Sequence, residues 1–209
     1  MTDATGAKAV TAAMRHLRRD PVMKAIIQRA GPFAMTYGEP TFESLARSIV
    51  GQQLSTRVAR VIYQRLVDAM PEGHVTPAAT LKLRPAKMRT LGLSGAKTEY
   101  IRDLARHTRD GKIRFEELPG RDLDYVIEHL TQVKGIGVWT AHMFLIFALR
   151  HPDVMPVGDL GIRTAVKRAY GFEELPKPAE IEELAVKWRP YCSIASWYLW
   201  RSLEGPEKL

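Results

Sequence analysis

The chain reads as an all-α protein, and three observations predict it. Apolar residues recur at i, i+3, i+4 and i+7 through most segments long enough to test. Ser, Thr, Asp and Pro stand where those runs begin, and glycines stand where they end. No segment alternates apolar and polar residues long enough to make a strand.

Taken in order, Lys8 to Arg19 and Val22 to Ala30 give two helices. The second has Met23, Ile26, Ile27 and Ala30 on one face and Gly31 as its stop. Gly31 to Pro40 is a connector rich in Gly and Pro. Phe42 to Val50 is a helix with Phe42, Leu45, Ala46, Ile49 and Val50 inward, broken at Gly51-Gln52-Gln53-Leu54-Ser55. Ser55 caps the next helix, whose apolar face reads as Val58, Ile62, Leu66 and Ala69, with Arg57, Arg60 and Arg65 toward solvent. Thr76-Pro77 opens another helix, and Pro85 to Leu91 forms a short one ending at Gly92. Leu93-Ser94-Gly95-Ala96-Lys97 starts a longer helix that buries Tyr100, Ile101, Leu104 and Ala105. Behind a cap at Asp122, Leu123, Val126, Ile127 and Leu130 make a helix leading to Lys134-Gly135-Ile136-Gly137. Val138 to Leu149 is apolar nearly all round, so that helix is expected to be buried. Gly161 to Tyr170, Pro178 to Arg189 and Tyr191 to Leu203 complete the series, the last carrying Trp197, Tyr198 and Trp200.

Bulk properties narrow the function. The 209 residues are enough for a proper core, as one large domain or two small lobes. Lys and Arg number 31 against 23 Asp and Glu, a net charge of +8. Such a balance suits a nucleic-acid binder, although an indifferent basic surface has the same signature. The single cysteine, Cys192, rules out internal disulfides, a four-cysteine iron–sulfur cluster and the usual structural zinc sites. The six histidines show no metal-binding spacing. No apolar run reaches a membrane span and no signal-peptide pattern opens the chain, so a soluble cytoplasmic protein is expected.

Four stretches carry candidate chemistry. In the Lys134 to Gly137 hairpin, paired glycines leave amides bare at a helix start, where an anion is welcome. An ordinary αα-turn fits the same letters. The Gly51 to Ser55 break is either a finger that enters a nucleic-acid groove or an amide pair capping helix ends. The Leu93 to Lys97 turn is either a second phosphate contact or a solvated turn. Asp159, in Pro156-Val157-Gly158-Asp159-Leu160-Gly161, sits at the positive end of a helix, as an N-cap or as a functional carboxylate.

Taken together, L-x-x-V-x-G-I-G-x-W-T-A from Leu130 to Ala141 and the Gly/Pro loop ending at Asp159 resemble the helix–hairpin–helix DNA glycosylase superfamily. Within it the sequence is similar to the alkylation-repair branch, the DNA-3-methyladenine glycosylases of bacteria and yeasts. The likeness runs over about residues 40 to 203, including F-E-S-L-A-R-S-I-V-G-Q-Q-L-S and G-L-S-G-A-K. The longer bacterial members carry an extra N-terminal β-rich domain in place of the helices read here. The resemblance implies a two-lobed helical fold with an active-site cleft between the lobes. The expected segments are N-terminal helices over 1–40, a lobe carrying the wedge turn over 41–120, and the hairpin, Asp loop and C-terminal helices over 121–205.

The resemblance also implies roles. Asp159 falls on the catalytic aspartate. Trp139 stands where lyase-competent relatives place a lysine nucleophile, so no Schiff base is expected there. Trp139 and Trp200 match aromatic positions of the base pocket, and Met143 stands where some relatives place a tyrosine. Gln53, or failing it Leu54, matches the wedge that fills the gap left by a flipped base. Lys134, Gly135, Gly137, Thr140, Ser94 and Lys97 are expected on DNA phosphates. The carbonyls of Thr131, Val133 and Ile136 are expected to hold a structural Na+ or K+, with no catalytic cofactor. The implied protein is a monomeric, monofunctional glycosylase for 3-methyladenine and 7-methylguanine in duplex DNA, with no membrane partner. A glycosylase of the lyase or mismatch branch and a non-catalytic helix–hairpin–helix DNA-binding module are the alternatives.

Overall fold

A computed structural model describes residues 6–204, so the expected end of the fold at 205 lies outside it. Among the described residues there are twelve α-helices and no strand. No described helix is long and apolar enough to cross a membrane. The chain divides into two compact units, residues 38–144 and a discontinuous unit of 1–37 with 145–209. These limits differ from the breaks expected at 40 and 120.

The discontinuous unit contains α1 (Ala7–Leu17), α2 (Pro21–Ala30), α10 (Leu160–Tyr170), α11 (Pro178–Ala185) and α12 (Cys192–Arg201). Its core joins the two ends of the chain: Leu17, Met23 and Ile27 share one cluster with Ile162, Val166, Ile181, Trp188, Tyr198 and Leu199. Each such side chain contributes about 1.5–3 kcal/mol on burial, so the N-terminal helices are integral to this core. Chain separation hides that partnership from a linear reading. Asp20 caps α2 through the amides of Val22 and Met23, and Gly171 closes α10 in a left-handed conformation.

The continuous unit contains α3 (Phe42–Gly51), α4 (Thr56–Asp68), α5 (Pro77–Lys82), α6 (Pro85–Thr90), α7 (Gly95–Arg109) and α8 (Leu123–Thr131). Helix α9 (Val138–Phe147) begins there and crosses the limit between the units. α7 is central, packing on α3, α5 and α6. Its Ile101, Leu104 and Ala105 are fully buried, as expected, but Tyr100 is only half-buried.

Two expectations for this unit are corrected. Helix α4 turns Tyr63 and Leu66 inward and leaves Val58 44% exposed. The Tyr63 hydroxyl donates to Glu43 Oε1 on α3 at 2.8 Å, and a residue five places away lies about 140° around the helix. Val58, in the first turn of α4, is thus turned away from the face that carries Tyr63. Helix α9 is not buried throughout, because its first turn leaves Val138 51% and Trp139 45% exposed.

Candidate active site

The hairpin is built from both flanking helices and from α7. Asp122 caps α8 by accepting the Tyr125 amide at 2.8 Å. Gly135 has φ +77°, and a Cβ there would stand 2.1 Å from the Tyr100 ring. Glycine is therefore required both by the backbone and by the aromatic ring laid against it. The Lys134 amide donates to Asp103 Oδ2 at 3.0 Å. Asp103 is 7% exposed and also pairs with Arg106 at 2.9 Å. Burial pushes its carboxyl up, but the Lys134 amide, Arg106 and His107 outweigh that and hold it below the usual range.

The Gly51 to Ser55 turn is tied to that hairpin. Gln52 donates its side-chain amide to the Gly135 carbonyl at 2.9 Å and to Thr140 Oγ1 at 3.4 Å. The Lys97 ammonium donates to the carbonyls of Val50 at 2.7 Å and Gln52 at 2.6 Å. Gln53 takes φ +58°, and Leu54 beside it is 38% exposed. Gln53, Leu54, Ser94, Lys97, Trp139 and Thr140 line one open concavity of about 880 Å³. Trp139 is thus a surface aromatic at the rim of a hollow. Met143 follows it by one helical turn on α9 and is half-buried.

The aspartate site belongs to the other unit. The Asp159 amide donates to the Pro156 carbonyl at 2.9 Å, closing the turn before α10. Asp159 Oδ1 then accepts the Ile162 amide at 2.8 Å and the Trp200 indole N–H at 2.9 Å. The Trp200 ring stacks on Phe147, with centroids 5.8 Å apart and planes 24° from parallel. A Cβ at Gly161 would lie 3.0 Å from both Asp159 Oδ1 and the Trp200 ring. Gly161 therefore lets carboxylate and indole meet. Two hydrogen bonds to Oδ1 and a backbone turn fix one carboxylate on a half-exposed surface, an arrangement fit for stabilising positive charge in a bound molecule.

Comparison with known proteins gives this geometry its setting. Residues 46–190 match the model of the HhH-GPD superfamily of base excision DNA repair proteins. The chain belongs to this superfamily. It is 32% identical over 189 residues to DNA-3-methyladenine glycosylase 1 of Schizosaccharomyces pombe, covering 88% of this chain and 82% of the relative. Among solved structures, the S. pombe 3-methyladenine DNA glycosylase in complex with abasic DNA aligns with TM-score 0.82 and 32% identity, over 91% of this chain and 95% of that one. A DNA-3-methyladenine glycosidase from Bacillus halodurans aligns with TM-score 0.81 and 34% identity, over 95% and 90%.

For this HhH-GPD member, the structure places the expected residues in two groups. Trp139, Gln53, Leu54, Ser94 and Gly135 gather with Lys97 and Thr140 around the concavity, while Asp159 and Trp200 pair in the other unit. Gly137 is exposed with open space around it, and the Lys134 ammonium pairs with Glu99 at 2.7 Å. Two phosphate assignments need correction. Thr140 is 4% exposed and its hydroxyl is engaged by Gln52. Lys97 spends its ammonium on two backbone carbonyls, and burial lowers its pKa. The Ser94 hydroxyl accepts the Lys97 amide at 3.2 Å as the cap of α7.

Gln52, Asp103 and Tyr100 position the hairpin, and Phe147 positions Trp200; the sequence points only to Gln52, as half of the amide pair, and to Tyr100, as a core residue. The adjacent glutamines were the one usable signal, since an amide pair at a helix break invites a capping role. Asp103 and Phe147 carried none. Of the tryptophans, Trp188 is fully buried in the core, and Trp197 packs edge-on to Phe33 at 5.0 Å.

Proposed function

We propose that this chain is a monofunctional DNA glycosylase that hydrolyses the N-glycosidic bond of alkylated, cationic purines such as 3-methyladenine and 7-methylguanine in duplex DNA. The observation that carries the reading is the Asp159–Trp200 pair on a chain of the HhH-GPD superfamily. The names of the S. pombe and B. halodurans relatives support the substrate class.

The chemistry follows from the residues. A flipped nucleotide brings its C1′ to the carboxylate, and Gln53 or Leu54 fills the vacated stack. As the C1′–N bond breaks, its electron pair leaves with the purine and neutralises the base. Positive charge develops on the sugar, where the fixed Asp159 carboxylate stabilises it and orients the water that adds to C1′. An alkylated purine is already a good leaving group, so a strong general acid is not needed. A cationic base over the face of Trp139 or Trp200 gains about 0.5–2 kcal/mol. Residue 139 offers no amine, so C1′ is captured by water, whose proton is lost as the C1′–O bond forms. The sugar stays in the DNA strand as an abasic site with no covalent link to the enzyme.

Phosphate binding falls to the exposed hairpin amides, Gly137 foremost, and the protein works as a monomer. A structural monovalent cation fits the same turn. The family resemblance points to backbone carbonyls of the turn as its ligands. The Val133 carbonyl accepts the Ile136 amide at 3.1 Å and keeps a second lone pair, and the carbonyls of Thr131 and Ile136 complete the proposed set. The ion would brace the turn and take no part in bond cleavage.

Base release from methylated duplex DNA, with borohydride in a parallel reaction, tests the reading. Free 3-methyladenine or 7-methylguanine with no trapped protein–DNA adduct is the expected result. A trapped adduct would place the chain in the lyase class. Duplex binding with no release would reduce it to a DNA-binding module.

A further inference from the structure

Lys97 is assigned no part in the chemistry above, yet it occupies a telling position. It reaches from the first turn of α7 to the end of α3 and donates to the carbonyls of Val50 and Gln52, either side of Gly51. Carbonyls in the last turn of a helix lack intrahelical partners and lie at the negative end of its dipole, so an ammonium suits them doubly. The next residue, Gln53, has φ +58°, a left-handed conformation that non-glycine residues hold only where their surroundings enforce it. Gln52 supplies the second restraint, through its side chain to the Gly135 carbonyl and the buried Thr140 hydroxyl. The exposed pair Gln53 and Leu54 is thus the tip of a turn fastened at both ends of Gln52.

We propose that Lys97 is a positioning residue for the wedge: with Gln52 it locks the Gly51 to Ser55 turn to the hairpin, so that Gln53 and Leu54 stand ready to enter the base stack. The proposal rests on the glycosylase reading, because a wedge matters only to a protein that flips a nucleotide. Burial lowers the Lys97 pKa, while the two short carbonyl bonds fix where its ammonium sits. The lock commits two of the three ammonium N–H groups to the turn.

The test compares wild type with Lys97→Met and Gln52→Ala. Binding is measured across a salt series to an undamaged duplex and to the same duplex with one abasic-site analogue, and kcat and KM are measured for base release from methylated DNA. Wild type is expected to prefer the abasic duplex. Lys97→Met should keep the affinity and salt slope for undamaged DNA, and both variants should lose about tenfold or more of the abasic preference and drop in kcat by about tenfold to a hundredfold. Equal weakening on both duplexes by Lys97→Met, with a salt slope smaller by about one, would make Lys97 a phosphate contact and overturn the proposal. Unchanged abasic preference and kcat would overturn it too. If Lys97→Met does not fold, Gln52→Ala, which keeps the charge, decides alone. A wild type with neither abasic preference nor base release defeats the glycosylase reading itself, and the wedge lock with it.

Discussion

Asp20 and Asp159 lie in the same unit and are built alike, each the N-cap of a helix and each accepting a tryptophan indole N–H. Their surroundings separate them. Asp20 is 7% exposed, with Oδ1 on the amides of Val22 and Met23. Its Oδ2 takes the Tyr170 hydroxyl at 2.6 Å, the Trp188 indole at 3.1 Å and the Lys187 ammonium at 3.2 Å. Asp159 is half-exposed, and amide and indole converge on its Oδ1. A carboxylate whose charge is answered inside the core holds the fold together. One held rigid at the surface is placed to answer a charge that arrives with a substrate. Local motif does not distinguish the two, whereas burial does.

The sharpest way to break this contrast is to neutralise each aspartate. Asparagine still caps a helix, so Asp159→Asn should fold normally and lose base release by at least about a hundredfold. Asp20→Asn should keep its specific activity in the folded fraction. If the two variants lost activity alike, the division of labour would be wrong.

The next effect is on stability. Asp20→Asn should lower the unfolding free energy by about 1–3 kcal/mol at neutral pH, because a buried network loses its charge-assisted bonds. Burial raises the Asp20 carboxyl, but Tyr170, Trp188 and Lys187 together bring it below its ordinary value of 3.8. A depressed carboxyl contributes stability above its unfolded value and loses it as pH falls through the folded one. Denaturant titrations should therefore show the gap between wild type and Asp20→Asn full at pH 7 and closing below about pH 4. A gap that widened in acid would refute the assignment.

The tryptophan partners give a smaller, mirror-image pair. Trp200→Phe keeps a ring to stack on Phe147 but removes the N–H on Asp159, so excision should fall about tenfold with little change in melting temperature. Trp188→Phe should cost about 1 kcal/mol or more of stability while leaving excision unchanged. Smallest of all should be Lys134→Ala. Its ammonium is already paired with Glu99, so the salt slope for duplex binding should fall by less than the roughly one unit of a full phosphate contact. A drop of a full unit would show that DNA displaces Glu99.

Much of this was legible in the sequence. Helix starts at Ser55, Thr76, Asp122 and Asp159 follow from short side chains that cap by accepting nearby amides, a purely local interaction. The Gly-Ile-Gly hairpin and the Gly/Pro loop at Asp159 were equally plain, because backbone conformation restricts the residues that fit. The Lys97 and Thr140 roles were misread because both are polar residues beside glycine turns, which looks the same whether the group faces solvent or a carbonyl. Val58 fits the apolar spacing of α4 but lies in its first turn and off the face of Tyr63 and Leu66, which only the tertiary packing defines.

The sequence alone therefore determined the helical class, the helix boundaries to within a turn or so, the absence of an amine at residue 139, and the aspartate–hairpin pairing typical of the superfamily. These depend on residue type and spacing along the chain. Tertiary structure decided which carboxylate is sealed and which is offered, which glutamine is tied and which is presented, and that the first two helices share a core with the last three. Those outcomes depend on contacts between residues as far apart as Asp20 and Trp188, where burial and long-range partners set the role and no local pattern records them.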